Sequence, residues 1–218
     1  MNWKLPNQLT LARIVLAAAF FVVLSLYSQG KNWSPWLLNA ALVLYVVAGI
    51  TDVLDGYLAR KMNVVSAFGR IADPLVDKVL VVGAFAMLAG GNFDEVEELA
   101  SPFEHGLPHW LTGGMVSAVQ GWMVVAIIAR EFVISAVRGY IESCGTKFPA
   151  GPAGKVKMFV QSLAISVVLF QLANLPQASW AILVKIAMVW LAVVATILSG
   201  LAYVAKASKV LISHEPRA

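Results

Sequence analysis

Cysteine is almost missing: Cys144 is the single one in 218 residues. An intramolecular disulfide and any cysteine-based metal cluster are thereby excluded. Charge is scarce as well. Only 13% of residues are Asp, Glu, Lys or Arg and 60% are hydrophobic, whereas a soluble domain is roughly a quarter charged and half apolar. With a mean hydropathy of +0.78, the chain reads as an integral membrane protein. No internal repeat, low-complexity tract or linker divides it, so one domain over 1–218 is expected. The formal charge of +4 does not point to nucleic acid, because basic residues flanking apolar helices are topology signals.

Six segments are apolar enough, or nearly long enough, for a crossing of about 20 residues. They are Leu9–Tyr27, Trp36–Ala59, Ile71–Ala89, Met115–Val137, Ala153–Ala173 and Trp180–Ala205. Lipid offers backbone groups no partners, so each should be a helix. The fold class expected is therefore an all-α bundle of six transmembrane helices. The first apolar run could pass for a signal peptide, but no small-x-small cleavage site follows it, and it is read as a retained helix. Lys4, Arg13, Arg60, Lys61, Arg70, Arg138, Lys147, Lys155, Lys157, Lys206, Lys209 and Arg217 fall on one side of such a bundle. The other side has Lys31 and the acidic run Asp94–Glu104. Both termini are thus expected in the cytoplasm.

At the N-terminus, Pro6 and Asn7 read as a helix start with Asn as cap. Asn7, Thr10 and Arg13 recur every three residues, which reads as a cap plus an interfacial basic anchor. Leu5, Leu9 and Leu11 would lie in the membrane surface as an N-terminal interfacial segment. His105 and His109 are separated by Gly106 and Pro108 and are expected in an outer loop. Gln161 and Gln171 are expected to hydrogen-bond between helices. Trp33, Trp36, Trp110 and Trp180 are expected at membrane interfaces.

Against this sparse background, four acids stand together in DVLDGYLARKMNVVSAFGRIADPLVDK, residues 52–78. A carboxylate at the centre of a membrane helix costs about 2.5–3.5 kcal/mol. Asp52 and Asp55 are spaced i,i+3 on one helix face, and Asp73 and Asp77 i,i+4 on the next. A short loop and an antiparallel return would bring the pairs together, with Pro74 tolerated in a first helical turn. Cations between them would relieve their repulsion, and all-oxygen ligands suit Mg²⁺ or Mn²⁺. Two ions about 3.5–4 Å apart would clamp a phosphoryl group. A purely structural account, with the acids capping helices or pairing with Arg60, Arg70 and Lys78, competes with this.

Written out, the stretch is Asp52-x-x-Asp55-Gly56-x-x-Ala59-Arg60, eight residues, then Gly69-x-x-x-Asp73-x-x-x-Asp77. It resembles the signature of the CDP-alcohol phosphotransferases at every position. The resemblance implies that Asp52, Asp55, Asp73 and Asp77 bind two divalent ions and that Asp77 is also the general base. It implies that Gly56, Ala59, Arg60 and Ser66 line the cytidine diphosphate pocket, closed by Asn7 and Thr10. A homodimer is also implied, in a bacterial inner membrane with the site facing the cytoplasm. LPNQLTLAR, IIAREFVISAVRGY and AGPAGKVKMFVQ look like the phosphatidylglycerophosphate-forming branch. That branch takes CDP-diacylglycerol as donor and sn-glycerol 3-phosphate as acceptor.

Arg130 is deep in an apolar helix beside Glu131, where an unpaired guanidinium is expensive. An acceptor phosphate would suit it, since Arg grips phosphate bidentately. Arg130, Arg138 and Lys155 are the expected phosphate ligands, with Glu131 orienting an arginine. Lys147 and Lys157 read as ordinary positive loop charge. Serine, inositol phosphate or a phospholipid remain possible acceptors from the signature alone. A cation transporter is the reading from another class.

Overall fold

The computed structural model describes residues 5–27, 34–62, 67–93, 106–144 and 151–214, with the side chains of 5–7, 9, 34, 55–74, 152 and 209–214 outside that description. Its described secondary structure is helical. The long helices are α1 (Leu5–Ser25), α2 (Ser34–Met62), α3 (Ala67–Leu88), α5 (Gly121–Ser143), α6 (Pro152–Asn174) and α7 (Ser179–His214), with a single-turn α4 (His109–Thr112) between α3 and α5. On length and composition, Pro35–Leu54, Ala153–Asn174 and Ser179–Ser208 are able to cross a bilayer.

The helices close into a ring. α1 packs on α2 and on α3, α2 on α6, α6 on α7, α7 on α5 and α5 back on α3, with α3 also touching α6. They turn sets spaced three or four residues apart inward, such as Leu38, Ala41, Tyr45 and Ala48 on α2 and Leu80, Ala84 and Leu88 on α3. Val22, Val43, Phe132, Phe159 and Leu201 face outward and are exposed, as expected of helices that are apolar all round. In hydrocarbon such packing gains from close contact rather than from excluding water. Gly83 shows how close: a Cβ there would stand 2.6 Å from the Phe21 ring of α1. The Phe20 ring lies 5.5 Å from that of Tyr45 on α2.

Several expectations are corrected. α1 runs unbroken from Leu5, so Leu5, Leu9 and Leu11 belong to this long helix rather than to a separate segment, and Asn7 lies inside it rather than capping it. α3 begins at Ala67, which places Pro74 two turns in, where it cannot bond the carbonyl of Arg70. The fourth long helix starts at Gly121, not Met115, and extends to Ser143. Residues 113–120 are instead a buried turn with positive φ at Gly113, Gly114 and Ala118. Ser117 Oγ ties that turn to the Leu88 carbonyl at 2.6 Å, and Lys185 Nζ donates to the Val116 carbonyl at 2.5 Å. Gln161 does bond across helices, to Thr196 at 2.8 Å. Gln171 instead donates to the Leu175 carbonyl at 3.0 Å, the end of its own helix. Trp36, Trp110 and Trp180 are exposed, and so is His109, at the start of α4. Trp33, His105 and Lys147 lie outside the described residues.

Candidate active site

Asp52 sits on α2 and Asp77 on α3. α1 packs on both helices and places Arg13 between the two acids. One guanidinium nitrogen, Nη1, lies 2.7 Å from Asp52 Oδ1 and 3.2 Å from Asp77 Oδ1. The arginine side chain is 1% exposed, against 41% for Asp52 and 23% for Asp77. Arg13 is therefore no interfacial anchor. Thr10, one turn earlier, is also buried.

The other residues expected at this end divide by location. Asp55, Gly56, Ala59 and Arg60 continue α2, and Asp73 lies on α3 one turn before Asp77. Their side chains, with that of Asn7, lie outside the described residues, as does Ser66 altogether. Among the described residues no three His, Cys, Asp or Glu form a metal-sized group. The two acids that are described nonetheless fit a hard cation. They offer carboxylate oxygens from different helices to one point, and a positive group already occupies it.

Asp77 borders two spaces. On one side is a groove of about 620 Å³, mostly apolar, along α2, α3 and α6, with Tyr45, Asp52, Met158, Phe159 and Ser162 among its walls. On the other is a cavity of about 260 Å³ lined by Asp77, Lys78, Glu131, Lys157 and Gln161. Lys78, Glu131, Lys157 and Met158 are shared with a third space of about 370 Å³, which adds Arg130, Arg138, Lys155 and Lys206. Among the described residues, six cations and Glu131 thus line two adjoining cavities, the first of which Asp77 also borders.

Glu131 organises that basic end. A single oxygen, Oε1, accepts from Arg130 Nη1 at 2.9 Å and from Lys157 Nζ. Arg130 Nε has no hydrogen-bond partner among the described residues, which leaves a buried donor to be satisfied. Room for the Arg130 stem comes from Gly200 on α7, where a Cβ would lie 3.1 Å from Arg130 Cγ. Lys78 donates to Ser135 Oγ at 2.5 Å. Arg138 is half exposed and pairs with Glu142 at 2.8 Å.

The structure therefore brings Arg130, Arg138 and Lys155 to one cavity. It also corrects Lys157, which is buried in the cavity wall rather than set in a loop. Lys78, Ser135, Gly200 and Arg13 belong to the site region without having been singled out for it. A charge next to an expected ligand, or a glycine in an apolar helix, carries no signal of its own in sequence.

Chemically, one end offers oxygen ligands for a cation, the middle offers a carboxylate, and the far end offers donors for a compact anion. Comparison with known proteins gives the family. A curated relative in Bacillus subtilis (strain 168), named CDP-diacylglycerol–glycerol-3-phosphate 3-phosphatidyltransferase, is 32% identical over 215 residues, covering 94% of this chain and 95% of its own length. A relative of the same name in Shigella flexneri serotype 5b (strain 8401) is 32% identical over 98% of this chain and 100% of its own. One in Rickettsia bellii (strain RML369-C) is 31% identical over 92% and 93%. The family model for CDP-alcohol phosphatidyltransferase matches residues 3–198, and the chain belongs to that family.

Proposed function

We propose that this protein transfers a phosphatidyl group from CDP-diacylglycerol to sn-glycerol 3-phosphate, forming phosphatidylglycerophosphate and CMP. The observation that carries the choice of acceptor is the basic cavity opening from Asp77. A dianionic phosphate suits the cluster of Arg130, Arg138, Lys155 and Lys157, whereas serine offers them no phosphate, only a single carboxylate offset by its own ammonium. The names of the relatives agree with this reading.

In the reaction, Asp77 accepts the proton of the acceptor hydroxyl. The hydroxyl oxygen forms a bond to the phosphorus that carries the diacylglycerol, and the bond from that phosphorus to the CMP oxygen breaks. CMP departs with the electron pair. Arg130, held by Glu131, and Lys157 fix the acceptor phosphate so that its hydroxyl lies against Asp77, the positioning that makes a weak carboxylate base effective. Asp52, Asp55, Asp73 and Asp77 would hold two divalent ions, Mg²⁺ or Mn²⁺, which when bound neutralise the diphosphate of the donor. The apolar groove beside Asp52 and Asp77 suits the acyl chains. Gly56, Ala59, Arg60, Ser66, Asn7 and Thr10 are carried as the nucleotide contacts.

The same reading takes α1, α3 and α5 as spans beside the three apolar enough by composition. At 21, 22 and 23 residues and about 1.5 Å per residue, each reaches the roughly 30 Å of a hydrocarbon core. Six crossings in one domain over 1–218 put both termini and the site on the cytoplasmic face of a bacterial inner membrane, in a homodimer. An acceptor panel tests the function: purified protein with CDP-diacylglycerol and Mg²⁺ should release CMP with glycerol 3-phosphate and not with serine or inositol phosphate. Equal turnover on serine would remove the acceptor assignment.

A further inference from the structure

Arg13 has no part in the bond making and breaking described above, yet it is a deeply buried charge in contact with both described acids. Its side chain is 1% exposed, while those of the aspartates it touches are 41% and 23% exposed. The acids are therefore open from the groove and backed by the arginine from within the bundle. A guanidinium stays protonated at any physiological pH, so this positive charge is permanent.

We infer that Arg13 is a built-in countercharge of the carboxylate centre and sets how tightly that centre takes a divalent cation. The inference rests on the reading that these aspartates hold metal. Without an ion, Arg13 offsets the repulsion between acids on α2 and α3 and keeps the centre assembled. With an ion, the same charge repels it and competes for oxygens already paired with Nη1. Binding is then weaker than bare carboxylates would give. Repulsion between a single and a double charge a few ångströms apart is large even at an effective dielectric of about 20. It outweighs the benefit of holding the two acids in place beforehand, because the packing of α1 on both helices already does that.

The test uses the full-length protein in detergent, Mn²⁺ alone as probe, and electron paramagnetic resonance of the free ion as readout. Arg13→Gln and Arg13→Met remove the charge; Arg13→Lys keeps it. The neutral variants should bind Mn²⁺ at least about tenfold more tightly than wild type, and the lysine variant within about threefold of it. Without metal the neutral variants should also melt below wild type, and saturating Mn²⁺ should raise their melting temperature by more. If they are lost on purification without metal, purification in Mn²⁺ should recover them, since the ion supplies the missing charge; failure to recover overturns the inference. Neutral variants that bind Mn²⁺ no more tightly than wild type overturn it as well, and leave the metal reading standing. Absence of Mn²⁺ binding in every protein, wild type included, overturns the metal reading and this inference with it.

Discussion

Replacing Arg130 by alanine should impair use of glycerol 3-phosphate far more than replacing Arg138, although both are arginines on α5 lining one cavity. The difference follows from their surroundings. Arg130 is 12% exposed, is held by Glu131 and has a buried Nε–H without a partner among the described residues. A hydrogen bond to a charged group in such a place contributes roughly 1.5–3 kcal/mol, which corresponds to about a 10- to 150-fold rise in KM. Arg138 is 46% exposed and already paired with Glu142. Exposed pairs of this kind contribute roughly 0–1 kcal/mol, or at most about a fivefold rise. The assay is CMP release over a glycerol 3-phosphate series at saturating donor, with kcat expected to change little in either variant. Equal rises in KM, or a fall in kcat for Arg130→Ala with KM unchanged, would refute the reasoning.

Asp77→Asn should abolish turnover while leaving CDP-diacylglycerol binding largely intact, measurable by retention of labelled donor; ordinary turnover would displace Asp77 as the base. Gly200→Ala should raise the KM for glycerol 3-phosphate by pushing the Arg130 stem away from a Cβ 3.1 Å distant, and an unchanged KM would show that the stem yields freely. Glu131→Gln should destabilise the protein by about 3–5 kcal/mol, because it leaves two buried cations without their acid. Saturating glycerol 3-phosphate should return about 2.7 kcal/mol of that at 100 times its Kd, read from unfolding midpoints with and without it.

The side chains of Asp55 and Asp73 lie outside the described residues, but Asp52 and Asp77 were legible as neighbours, because i,i+3 and i,i+4 spacings hold whichever residue begins the helix. What stands between them was not. Arg13 in the Asn7–Thr10–Arg13 series has the same periodicity whether it anchors α1 at an interface or enters the bundle, and only the packing of α1 on both α2 and α3 decides. Lys155 and Lys157 look alike as positive charges near a helix start, yet two residues of α-helix turn them to different sides, one exposed and one buried. The start of α5 was misplaced because the apolar run Met115–Val119 reads as helix, while the positive φ values at Gly113, Gly114 and Ala118 turn the chain first. Gly200 acquires meaning only from the arginine opposite it.

Among the described residues, the groove and the basic cavity share Asp77, Met158 and Val81 and otherwise have separate walls. A lipid sliding in sideways and a water-soluble metabolite arriving head-on need not pass through one door. Neither reactant has to leave before the other enters, so double-reciprocal rate plots for the pair should intersect rather than run parallel.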